Sequence, residues 1–241
     1  LCFEKEPDTE EKMIRPFEKI NDFDRGIWQE ELEDFVPKRI FDAHTHLWDD
    51  RFAPPEGTTT PQVHWRDLDS WAREVFPGRD IGFLLLGMPV AGMKLDGFHA
   101  FMAGEIARSR HRLGSTVVTP AVTAHELEEL IKKYRFPGLK PYRFFAPDPA
   151  NCRITDYFPE EQIEVADEHG MFVTLHLARF DGVADPDNLA DLARLTRRYP
   201  RVRWILAQTR TRWKRRSSRC AICPISGTIF RPCATRGATT F

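Results

Sequence analysis

Short continuous apolar runs alternate along the chain with stretches in which apolar residues recur every three or four positions. The continuous runs, at 40–46, 81–87, 115–122, 138–145, 171–177 and 202–207, have strand length and predict six strands. Between them, 68–76, 98–110, 126–134, 160–168 and 188–198 carry helical spacing, with Leu127, Leu130 and Ile131, then Leu189, Leu192 and Leu195, on inward stripes. Gly170 is placed to close the fourth of these helices. Residues 13–36 predict an irregular, partly helical lead-in. A polar, Pro-containing connection through Thr58-Thr59-Thr60-Pro61 follows the first strand.

Strands alternating with helices predict a parallel sheet and an α/β fold. Strands buried on both faces read as near-continuous apolar runs, as several of these do. Two architectures accommodate the pattern, an open doubly wound sheet and a (β/α)8 barrel. A doubly wound sheet would place a glycine-rich phosphate loop after the first strand, where this chain instead has His44-Thr-His-Leu-Trp-Asp-Asp50. In a barrel the C-terminal strand ends form the active face, which is where His46 falls. The prediction is a TIM-like (β/α)8 barrel, incomplete here, with about six βα units followed by an aberrant tail.

The first strand carries the densest chemistry. If it alternates regularly, His44 and His46 share a face with Ile40 and Asp42. Two neutral imidazoles so placed can grip one zinc-like ion from one side. The alternative is a pair of histidines satisfied by backbone carbonyls. His176, late in the fifth strand, points at the same end, and three histidines from two strands would supply most of a zinc coordination sphere. Trp48 is expected to pack, and His64, in the long loop, either to close over substrate or to stay exposed.

Apolar residues make up 41% of the chain, enough for a sizeable core, and the formal net charge is −1. That small charge hides an asymmetry. Residues 209–241 hold eight Lys/Arg and no Asp or Glu, leaving 27 basic against 36 acidic residues before them, a net of −9. Three of the five cysteines, Cys220, Cys223 and Cys233, also lie in this tail, without a well-spaced fourth zinc ligand. The charged opening shows neither a signal peptide nor a membrane span, so a cytoplasmic enzyme is expected, and Leu1 reads as a fragment edge or processed end. The expected organisation is a lead-in over 1–36, a partial barrel over 37–208 and a basic tail over 209–241.

In the order and spacing of Ile40-Phe-Asp-Ala-His-Thr-His46, Gly138-Leu-Lys-Pro-Tyr-Arg143, Val173-Thr-Leu-His176 and Arg203-Trp-Ile-Leu-Ala207, the chain resembles the amidohydrolase superfamily, in its amidohydrolase-related branch of hydrolases and non-oxidative decarboxylases. The resemblance spans about residues 27–208. It implies a distorted barrel with a divalent metal, usually zinc, at the C-terminal face, and maps metal ligands onto His44, His46 and His176. It also implies roles for the fourth-strand basic residues: Lys140 as a carbamate bridge between two metals, or Lys140 and Arg143 as the holders of a substrate carboxylate; a solvated strand-end charge is the bland alternative for each. The expected substrate is a small carboxylated or cyclic molecule, and the intact parent could assemble as a homo-oligomer.

The chain departs from that family at its end. Gln208 stands where a sixth-strand His is expected, and no Asp follows to serve as the eighth-strand ligand. A barrel needs about 250 residues, and the stretch after 208 cannot hold two βα units. A reading-frame shift near codon 208 accounts for this: Cys220-Ala-Ile-Cys-Pro-Ile225 back-translates so that another frame reads Arg-Asp-Leu-Pro-Asp. The chain as written is therefore expected to be inactive. The alternative from another class is a non-enzymatic protein whose basic tail binds nucleic acid, which the scattered Trp213, Phe230 and Phe241 disfavour.

Overall fold

The computed structural model describes residues 19–179, 181–207 and 228–229. Six strands run parallel in chain order: β1 (Arg39–Leu47), β2 (Asp80–Gly87), β3 (Gly114–Val118), β4 (Gly138–Pro141), β5 (Phe172–His176) and β6 (Arg203–Ala207). They curl into half a barrel. The helices between them are α2 (Trp65–Val75), α3 (Phe98–Arg108), α4 (Ala124–Tyr134), α5 (Ile154–Tyr157), α6 (Glu160–Glu168) and α7 (Pro186–Arg198), preceded by α1 (Asp22–Ile27). A two-residue strand, β7 (Thr228–Ile229), pairs antiparallel with β6 at Ile205 and Leu206. The outer edge of the sixth strand is thus paired at these two residues. The rest of the basic tail, with Gln208 and the three tail cysteines, lies outside the described residues.

Helix starts are fixed locally. Thr123 accepts the Glu126 N–H while the Glu126 carboxylate accepts that of Thr123, a capping box at the head of α4. Asp185 caps α7, whose first residue is Pro186, a residue that loses nothing there because its N–H would be unpaired. Gly170 takes φ +60° after α6, the left-handed conformation that a glycine adopts without a Cβ clash.

One face of the sheet packs on the helices. Leu85, Leu139, Val173, Leu175 and Leu206 join Leu127 and Ile131 of α4, Ile163 of α6 and Leu195 of α7 in a single buried cluster. On the opposite face, Leu84, Leu86 and Phe172 form a smaller cluster with Ile205. Short α5 was not legible as a helix, since four residues carry no periodicity. It is held by Arg153, which donates to both carboxylate oxygens of Asp191 in α7 at 2.6 and 2.8 Å.

Candidate active site

Strand β1 is not regular. Asp42 pairs with Phe83 and Thr45 with Leu85, so three steps along β1 match two along β2. The Asp42 carboxylate folds back to accept the His44 backbone N–H at 2.9 Å, fixing the bulge. One extra residue flips every later side chain to the other face. Ile40 and Asp42 stay in register with Ile81 and Phe83, whereas His46 is in register with Leu86 of the concave cluster. The expectation that Ile40 and Asp42 share a face with the two histidines is thus corrected: the bulge turns His44 and His46 into the concavity and leaves Asp42 behind.

The two imidazoles meet there, with Nε2 to Nε2 at 3.1 Å and ring planes 68° apart. Both have pKa values below the ordinary histidine range. Burial is the main cause and the Lys140 charge the second, with His46 brought down to about 3 and His44 also lowered. His176 ends β5, is 8% exposed, and falls to about 3 for the same two reasons, followed by Arg143 and the two β1 histidines. All three rings are therefore neutral at pH 7, the form that can bind a cation or accept a proton. Tyr157 of α5 donates its hydroxyl to the His176 carbonyl at 3.0 Å, and the Tyr142 ring packs edge-on to His176 at 4.4 Å.

Lys140 is the unusual group. It is 0% exposed, its Nζ has no hydrogen-bond partner among the described residues, and burial brings its pKa down to about 7. Its charge reaches all three imidazoles, and its Nζ stands 5.0 Å from the centre of the Tyr142 ring. Among the described groups that shift these histidines, Asp42, acting on His44, is the only carboxylate. Arg143 lies beyond the strand, since β4 stops at Pro141 and residues Arg143–Phe145 form a 3-10 turn. Its guanidinium donates to the Pro149 carbonyl at 2.6 Å, so strand alternation does not decide its direction.

Sequence reasoning missed two polar neighbours on the concave face, Ser115 on β3 and Thr174 on β5, both fully buried and both without a hydrogen-bond partner among the described residues. The available signal was a hydroxyl residue at an inward position of an otherwise apolar strand. His64 is not brought to the histidine group. It bonds Asp49 at 3.0 Å and lines a separate cavity with Arg51, Arg66, Phe101 and Arg108. Trp48 is 1% exposed and packs on Phe98, as expected.

The donor set meets part of what a metal ion requires. Two nitrogens each ~2.0–2.1 Å from a tetrahedral zinc lie about 3.3 Å apart, close to the His44–His46 separation of 3.1 Å. The pair fits two neighbouring positions on a divalent ion. Among the described residues, no three His, Cys, Asp or Glu converge in an arrangement that could hold one. His176 is within electrostatic reach of the pair without joining it in such a cluster.

No protein-family model matches the chain, and no curated protein matches it in sequence. Among solved structures, it is similar to a probable 2-pyrone-4,6-dicarboxylic acid hydrolase from Acinetobacter baumannii, crystallised with citric acid bound, at 17% identity and a TM-score of 0.41. The match covers 64% of this chain and 65% of that one, so the chain spans about two thirds of that protein's length. Among the described residues, no helix is long and apolar enough to cross a membrane.

Proposed function

We propose that the concave face binds a small carboxylated, cyclic or aromatic compound and hydrolyses it with the aid of a divalent metal, zinc in the first instance. The supporting observation is Lys140: among the described residues, a fully buried amine without an acceptor, beside three neutral imidazoles on which Asp42 is the one carboxylate acting. Buried cations are paired in folded proteins, and this one lacks its pair. A substrate carboxylate would supply it.

His44 and His46 would hold the metal as two neighbouring ligands. Such an ion polarises a substrate oxygen or acidifies a bound water. The chain's own groups account for the rest. Lys140 would pair with the carboxylate and orient the compound, and Arg143, whose charge acts on His176, would assist. His176, outside the metal-holding pair, would accept a proton, since burial keeps it neutral. Leu84, Leu86 and Phe172 offer an apolar wall to the body of the compound.

The test is turnover of a panel of carboxylated lactones, amides and aromatic acids by a chain whose reading frame is restored beyond codon 208, with and without chelator. Chelator-sensitive ring opening or amide cleavage supports the reading. Release of CO2 instead would assign decarboxylation, and turnover indifferent to chelator would remove the metal from the account.

A further inference from the structure

We infer that Ser115 and Thr174 complete, with Lys140, a carboxylate-recognition floor inside the sheet, and that these two hydroxyls make the site discriminate a carboxylate from its neutral amide. The inference rests on the functional reading above and names the residues that set its specificity.

The three residues sit on three adjacent strands. Ser115 is in register with Gly138, and Gly138 with Phe172 of the concave cluster. Alternation along β4 and β5 then places Lys140 and Thr174 on that same face, with His176 two residues beyond Thr174. All three side chains are 0% exposed, and Ser115 Oγ, Lys140 Nζ and Thr174 Oγ1 have no hydrogen-bond partner among the described residues. Buried hydroxyls and amines are paired in the large majority of cases, so three orphans on neighbouring strands form one unmet demand.

The demand has a sign. A lysine ammonium offers donors and no acceptor, and each hydroxyl can donate one hydrogen. A carboxylate, with two oxygens and about four lone-pair positions, accepts from all of them at once. A carboxamide turns its NH2 toward these donors and satisfies fewer. Leu86 and Phe172, on the same face, suit the apolar body carrying the acid.

Benzoate and benzamide, alike in shape and different in charge, are the probes, titrated against the full chain at pH 7 by ligand-observed NMR. Benzoate should bind, with benzamide at least ~10-fold weaker; Ser115→Ala and Thr174→Val should each weaken benzoate by ~10-fold and narrow that ratio. Thr174→Ser, which keeps the hydroxyl, should retain the affinity, and Lys140→Met should abolish it. Benzoate binding unchanged in Ser115→Ala and Thr174→Val but lost in Lys140→Met overturns this inference and leaves the functional reading standing. Binding unchanged in Lys140→Met, or absent from the unmodified chain, overturns both. Should Thr174→Val fail to fold, Ser115→Ala decides alone: undiminished benzoate binding there overturns the inference.

Discussion

Replacing Lys140 with Met should stabilise the protein near neutral pH and remove a pH dependence. The side chain is 0% exposed, its amine has no acceptor among the described residues, and burial brings its pKa from 10.5 to about 7. At ~1.4 kcal/mol per pKa unit, this corresponds to roughly 5 kcal/mol against the charged form in the folded state. The direction follows from proton counting. Between about pH 7 and 10.5 the unfolded chain keeps a proton that the folded chain has released, so stability rises with pH across that window. Below it the full penalty is present; above it there is none. Methionine keeps the length of the stem without the charge. Urea unfolding of both proteins in chelator, at pH 7, 8, 9 and 10, should show Lys140→Met ahead by several kcal/mol at pH 7, the gap closing by ~1.4 kcal/mol per pH unit. Parallel pH profiles, or a variant less stable at pH 7, would refute the reasoning and imply an acceptor for the amine.

Acid should act through the histidines. His46 and His176, both brought down to about 3, leave the unfolded chain holding more protons between pH 6.5 and 3, so stability falls as pH drops through that range. The double variant His46→Gln, His176→Gln should flatten the unfolding free energy over pH 6 to 4, and an undiminished slope would count against it. Tyr157→Phe leaves the buried His176 carbonyl without its donor and should cost ~1–3 kcal/mol in urea unfolding. Gly138→Ala would set a Cβ 2.1 Å from the Phe172 ring, and the resulting overpacking should cost ~1–3 kcal/mol. Gln208→His alone should not create metal-dependent turnover, whereas restoring the reading frame beyond codon 208 should; the nucleotide sequence there, read in three frames, checks the premise.

The element pattern was legible because helices and buried strands differ in apolar period, and Glu160–Glu168 and the six parallel strands stand close to where the spacing put them. The errors have local causes. β3 stops at Val118 and β4 at Pro141, although apolar residues continue, because Pro120 and Pro141 lack the N–H that a ladder requires. The β1 bulge was hidden in the side chain of Asp42, which bonds a backbone two residues away, a contact that a hydropathy pattern does not register. Lys140 was visible as a candidate, but its isolation was not, since the missing acceptor is a property of three strands together. Ser115 and Thr174 offered only the weak signal of a hydroxyl at an inward strand position, which reads as ordinary until its neighbours are known.

The account rests on His44, His46 and His176 acting as one site, and zinc titration of the full chain with 15N-labelled histidine tests this most directly. One equivalent should shift the ring nitrogens of His44 and His46 together, with His176 following, while those of His64, His99 and His111 stay in place. Shifts that begin at those other histidines, or a His44–His46 pair indifferent to zinc, would contradict it.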